Sequence, residues 1–189
     1  MSLIEAKDNL DDIKFAMLNA LKRASSDNKS AFRYIIFNTI SKGFPNSRYV
    51  VLRKFKIETQ ELFIYTDFRS TKISEIQENP LVSVLAYDKQ KNCQIKLKGE
   101  ISIHHEDEIA LEHWNSLHGG KESYNTEKKP GAEVNSLKEA HQLKSEFDDV
   151  YFAVIVLKVS QAEILQLNKE GHIRALFDFE EGKSSYLVP

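Results

Sequence analysis

With 189 residues, 41% of them hydrophobic, the chain can bury one sizeable core and is short for two full domains. Its 26 basic and 28 acidic side chains leave a formal charge of -2, so bulk composition argues against a nucleic-acid or anionic-membrane partner and any anion site must be local. The single cysteine, Cys93, excludes an intrachain disulfide and a thiolate metal cluster, and the acidic start "MSLIEAKDNLDD" lacks the basic flank and apolar run of a secretory signal, which makes a cytoplasmic protein without a membrane span the expectation.

From Leu3 to about Ala24, Leu10, Ile13, Phe15, Ala16, Leu18, Ala20 and Leu21 recur near the helical period and predict an amphipathic helix. "AFRYIIFNTI" (31–40) and "SRYVVLRKFKI" (47–57) are rich in β-branched and aromatic residues and predict neighbouring strands, with "KGFPN" as the turn between them. "ELFIYT", "LVSVLAY" and "CQIKLKGEISI" predict three more strands, and a helix begins near Ser70. In the last of these strands Ile95, Leu97, Gly99, Ile101 and Ile103 share one face, and Gln94, Lys96, Lys98, Glu100 and Ser102 the other.

"EDEIALEHWNSLH" predicts a helix anchored by Ile109, Leu111 and Trp114, followed by a polar loop, "GGKESYNTEKKPGAEV", long enough to be functional. "NSLKEAHQLKSEF" predicts a further helix capped by Asn135 or Ser136. The end is strand-rich: "VYFAVIVLKVSQAEILQL", "HIRALFDF" and "SSYLVP". The expected architecture is mainly β with added helices, an antiparallel barrel in one domain over residues 1–189. It comprises a helix at about 3–24, a barrel core at about 31–104, helices and loop at about 106–147, and C-terminal strands at about 150–189.

The stretch "YTDFRSTKISEIQENP" gathers Ser70, Thr71 and Lys72 at a helix start, where unpaired N–H groups and the positive end of the macrodipole favour an anion. From these residues alone the plainer reading, Ser70 as an N-cap and Lys72 as a solvated charge, is the favoured one. Arg48, at the start of an earlier strand, is a candidate to grip the same anion bidentately. His104 and His105 are adjacent in a strand and point to opposite faces, and His113, His118 and His141 are scattered, so no zinc-ligand spacing emerges. Lys96, Lys98, Arg53 and Lys54 lack the aromatic interleaving of a nucleic-acid face.

"SRYVVLRKF", "LFIYTDFRSTKISEIQENPLVSVLAY" and "QIKLKGE" resemble three consecutive signatures of the pyridoxamine 5'-phosphate oxidase-like, FMN-binding split-barrel family, and "HIRALFDFEEGKSSYLVP" is similar to that family's ending. The resemblance implies an antiparallel split barrel with peripheral helices that binds FMN. Arg48 and Lys72 are implied to hold the FMN phosphate, with Ser70 and Thr71 at the same helix start. The run Arg48, Tyr49, Val50, Val51, Leu52, Arg53 is implied to pass along the flavin, partly through backbone groups, and Tyr65 and Thr66 to line it. Gln94 is implied to contact the ring from a partner subunit, and Arg174 to be a late cofactor-binding arginine. As residues alone, Gln94 also reads as an exposed strand glutamine, and Arg174 as inward-reaching or outward.

The departures fall on the substrate side. Arg53 stands where a lysine is expected, and Glu170, Gly171 and His172 where an Arg-x-His pair is expected, so Arg53 and His172 are the candidate substrate contacts. "EILQL" replaces an expected tryptophan, and a Tyr, Arg and Ser run is not recognisable in "HWNSLHGGKESYN", although His118, Lys121 and Ser123 could substitute. The resemblance therefore implies an FMN-dependent oxidoreductase acting on a small molecule and built as a homodimer with FMN at the subunit interface. The alternatives are a flavin-binding or stress-related protein without vitamin-B6 turnover, or a nicotinamide-dependent flavin reductase.

Overall fold

In the computed structural model, which describes residues 2–189, Asn9 sets the first helix. Its side chain accepts from Asp11 and Asp12 N–H while Asp12 reaches back to Asn9 N–H, so α1 runs Leu10–Ser26 rather than starting near residue 3. Ile13, Met17, Leu18, Ala20, Leu21 and Ala24 form its buried stripe, and Phe15, expected among them, is exposed. Ile4 is buried in the core without being helical.

Ala31–Arg33 form a 3-10 turn, so β1 spans Tyr34–Ser41. The hairpin to β2 (Phe44–Val51) turns on Lys42 and Gly43 alone, both at positive φ, while Phe44, Pro45 and Asn46 of the expected turn extend the strand. Proline is tolerated there because β2 is an edge strand. The predicted strand at 47–57 breaks at Leu52 and Arg53, after which β3 (Lys54–Lys56) pairs with β4 (Glu61–Asp67). α2 (Thr71–Glu78) leads to β5 (Leu81–Asp88) and β6 (Cys93–His105). α3 (Glu108–Asn115) and one helical turn, α4 (Leu137–Ala140), precede β7 (Phe152–Gln166), β8 (Ile173–Asp178) and β9 (Lys183–Leu187).

The hydrogen-bonded order is β2-β1-β5-β6-β7-β4-β3, with β8 on the later half of β7 and β9 on β8. β2 and β3 are consecutive in the chain yet lie at opposite ends of that order. Two residues join them, so the antiparallel sheet must curl until its edges meet, and the gap is the split of a split barrel. Leu52 N–H donates to Arg33 O and Arg53 N–H to Phe63 O across this join.

Inside, the α1 stripe packs with the inward faces of the strands, Leu97, Ile155 and Phe177 among them. The predicted alternation in β6 holds, with Ile95, Leu97, Gly99 and Ile101 buried and Lys98, Glu100 and Ser102 exposed. The first half of β7 is covered on both faces. Ala153, Ile155 and Leu157 join the barrel core, while Phe152, Val154 and Val156 meet Phe63, Trp114 and Tyr124 in an outer cluster, which explains the unbroken apolar run.

Two helix expectations need correction. Asp107 accepts from Ala110 N–H and fixes the phase of α3 so that Ala110, His113 and Trp114 face inward, leaving Ile109 39% and Leu111 48% exposed. Ser136, not Asn135, caps α4, which stops after Ala140 because Leu143 and Phe147 are exposed and offer no buried stripe. No helix among the described residues is long and apolar enough to cross a membrane.

Candidate functional site

The split between β2 and β4 opens into a cavity of ≈ 440 Å³ lined by Arg48, Tyr49, Val50, Val51, Arg53, Tyr65, Ser70, Thr71 and Lys72, with Pro130 and Gly131 from the long loop. Nine of the residues singled out in the sequence thus meet around one space. Thr66 is buried beside them. Leu52 is not in the wall: its side chain is fully buried in the barrel core.

Ser70 occupies the N-cap position of α2 but makes no side-chain cap bond. It accepts instead from Lys72 Nζ at 2.6 Å, and Thr66 Oγ1 accepts from the same ammonium at 2.8 Å. Among the described residues Lys72 makes no ion pair, and burial followed by the nearby Arg48 charge pushes its pKa below the usual lysine value. The Asp67 and Glu75 carboxylates offset this only in part, and an anion at the helix N-terminus would relieve the rest.

Arg48 projects from the inner side of β2, opposite Phe37. Its Nη1 donates to Thr39 Oγ1 at 2.6 Å and its Nη2 to Glu75 Oε2 at 2.8 Å, which ties the strand to α2. Arg69 anchors the loop wall: it pairs with Asp67 at 2.7 Å, donates to Thr126 O at 2.9 Å and lies 3.6 Å over the Tyr151 ring.

At the other end Arg53 lies 5.5 Å over the Tyr65 ring and makes no ion pair among the described residues. Tyr65 Oη and His113 Nδ1 are 2.7 Å apart. Burial raises the Tyr65 phenol, while burial and then Lys54 lower the His113 imidazole, so both are neutral near pH 7. The cavity therefore offers cations and hydroxyls at one end and aromatic and aliphatic walls at the other, a donor set suited to FMN, with its phosphate on one side and a planar ring on the other.

Three predicted residues lie elsewhere. Gln94 and Arg174 share a cross-strand row through Leu165 on the outer face of the sheet. Arg174 there pairs with Glu163 at 2.9 Å, and Lys96 pairs with the same carboxylate at 2.8 Å. Burial would raise the Glu163 carboxyl, but the bonds and charges from Lys96 and Arg174 prevail and hold it below the usual range. His172 sits on the β7–β8 turn beside Ser2 and Glu5–Lys7, and its Nδ1 accepts from Asn168 N–H at 3.2 Å. Of the possible substitutes, Lys121 instead places its ammonium 4.3 Å over the Trp114 ring.

Glu75 and His113 are the site neighbours that sequence reasoning missed. Glu75 had a signal, since it lies three residues after Lys72 on the same helix face. His113 had none, because its contact with Tyr65 depends on how α3 docks. His104 and His105 do part: His104 pairs with Asp107 at 2.9 Å, and His105 stacks on Phe68 at 3.7 Å. A larger cavity of ≈ 590 Å³ near Gly99 is lined by one cation, Lys98, and two carboxylates, Glu100 and Glu180, and so lacks a comparable anion-binding set.

Residues 15–105 match the family model described as the pyridoxamine 5'-phosphate oxidase, FMN-binding domain. A pyridoxine/pyridoxamine 5'-phosphate oxidase of Legionella pneumophila (strain Paris) is 31% identical over 68 residues, 35% of this chain. The match spans only 31% of that relative's length. Among solved structures, a pyridoxamine 5'-phosphate oxidase-related, FMN-binding protein from Nostoc punctiforme superposes with TM-score 0.76 at 23% identity, covering 93% of this chain and 96% of the other. PhzG from Burkholderia lata, solved with tetrahydrophenazine-1-carboxylic acid, superposes with TM-score 0.70 at 15% identity, covering 97% and 95%. At these identities the two structures establish a shared fold.

Proposed function

We propose that the chain, whose residues 15–105 match the pyridoxamine 5'-phosphate oxidase, FMN-binding domain, is a cytoplasmic FMN-dependent oxidoreductase that acts on a small molecule as a homodimer. The observation that carries the reading is the convergence of Arg48 and Lys72 on the start of α2. Arg48, Lys72, Ser70 and Thr71 hold the phosphate through charge-assisted hydrogen bonds. Tyr49, Val50, Val51, Tyr65 and Thr66 shape the ring site, and the Leu52 contribution is confined to its backbone. When bound, FMN supplies hydride acceptance and electron transfer, and the chain supplies position and electrostatics.

Arg53 is placed to orient an anionic group of the substrate. Gln94, Arg174 and His172 lie outside the cavity of their own chain, so their proposed contacts are made across the dimer. Support for that dimer comes from the outer sheet face. The rows Tyr49–Ile36–Leu85–Lys96–Glu163–Leu176 and Tyr87–Gln94–Leu165–Arg174–Leu187 surround the Lys96–Glu163–Arg174 ion group with aromatic and aliphatic side chains. Tyr49 at the cavity edge is 72% exposed, and such an isologous face would cover it.

One observation favours a second reading, a flavin-binding protein without vitamin-B6 turnover. Glu170 stands where the substrate arginine is expected, in the β7–β8 turn lined by Ser2 and His172. Peroxide released on adding pyridoxamine phosphate to the flavin-loaded protein would support the oxidase, and its absence would favour the second reading. Bleaching of the flavin by NADH would identify the reductase alternative.

A further inference from the structure

Among the described residues Glu75 is the buried carboxylate that bonds directly to the proposed phosphate-binding set, and all of its side-chain hydrogen bonds run to β1 and β2. Oε2 accepts from Thr39 Oγ1 at 2.5 Å and from Arg48 Nη2 at 2.8 Å, and Oε1 accepts from Asn46 Nδ2 at 3.0 Å. Thr39 in turn accepts from Arg48 Nη1 at 2.6 Å. Two N–H groups of Arg48 are therefore committed to Thr39 and Glu75, and among the described residues its remaining N–H groups have no hydrogen-bond partner, while Arg48 itself lines the cavity.

The arrangement is costly unless it has a task. A carboxylate beside a phosphate site repels the ligand, and a buried ion pair contributes little net stability over apolar packing. Glu75 also sits on α2, one turn after Lys72, so the contact fixes Arg48 relative to the helix that carries Ser70, Thr71 and Lys72. Pre-orientation of a long, rotamer-rich side chain removes an ordering cost from binding.

We propose that Glu75 is a positioning residue. Through Thr39 and its own carboxylate it locks the Arg48 guanidinium into the geometry that receives the ligand's phosphate, and this gain exceeds the repulsion it introduces. The proposal rests on the FMN reading above.

The test compares FMN with riboflavin, which has the same ring and no phosphate, by titrating flavin fluorescence with the flavin-stripped full-length chain and its variants. Glu75→Ala is expected to weaken FMN binding about tenfold, as for loss of a charged hydrogen-bond partner, while riboflavin binding changes less than about twofold. Glu75→Gln, which keeps an acceptor without the charge, is expected to fall between. Thr39→Val preserves shape at a buried site and removes the hydroxyl bridge. It is expected to lower the FMN-to-riboflavin preference in the same direction, and it decides the matter if Glu75→Ala does not fold. Unchanged or tighter FMN binding in these variants, or an equal loss for both flavins, would overturn the positioning role. Failure of the parent chain to bind FMN would instead overturn the FMN reading itself, and this inference with it.

Discussion

Lys72 carries the clearest residue-scale consequence, because its ammonium is half-buried beside Arg48. Without an anion its pKa lies below 10.5, from burial first and Arg48 second. A phosphate dianion beside it raises that pKa, so binding takes up a proton between the two values. FMN affinity should accordingly be full below the lowered pKa and fall as pH rises through it. Lys72→Met should flatten that alkaline limb when dissociation constants are measured against pH, and an unchanged pH profile in the variant would remove Lys72 from the phosphate site. Arg48→Ala with Lys72→Ala should strip FMN and leave the fold, read from visible absorbance and circular dichroism, and wild-type flavin occupancy would count against the assignment. Cys93 is fully buried and its thiol is pushed up to about 12, chiefly by burial. It should resist alkylation at pH 8 until the chain unfolds, and rapid labelling of the native protein would contradict this. At this scale the side chains that gather at the cavity were legible, Ser70, Thr71 and Lys72 because hydroxyls and a lysine at a helix start suit an anion, and Tyr49, Val50, Val51, Arg53 and Tyr65 through the family resemblance of their stretches. Glu75 and His113 were not, since their meaning comes from partners on β1, β2 and β4 that only the folded chain brings near.

At the scale of elements, strands were easier to read than their limits. β6 shows its two faces plainly, whereas the break at Leu52 and Arg53 is hidden because the apolar and basic pattern of 47–57 runs on without a turn residue. That break is the step from one edge of the sheet to the other, and it creates the cavity. Trp114 of α3 is buried as predicted, but Ile109 and Leu111 are not, because the Asp107 cap sets a phase that turns Ala110 and His113 inward in their place. The β6–β7 pair holds a register shift at Lys98/Gly99, where Gly99 faces Val159 and Lys98 faces Gln161. A Cβ on Gly99 would lie 1.9 Å from Lys158 O, so backbone must move to admit any side chain. Gly99→Ala should lower stability by about 1–3 kcal/mol, seen as a reduced urea midpoint at unchanged slope. An unshifted midpoint would mean the bulge relaxes freely.

For the whole molecule, the curled order β2-β1-β5-β6-β7-β4-β3 explains why the site lies where it does: the split, not the barrel interior, is the opening that remains. It also explains why Gln94 and Arg174, which the sequence joined to the same cofactor, lie on a different face of the same chain. The homodimer reading reconciles the two, and light scattering should give twice the 21.7 kDa chain mass with flavin bound. A monomeric mass with bound flavin would leave those two residues without the proposed role. The central claim is that the cations of the split hold FMN. The measurement that tests it most directly is the visible absorption spectrum of the purified protein, with the released chromophore identified by chromatography. The account predicts flavin bands and released FMN. A colourless protein that also fails to bind added FMN would contradict it.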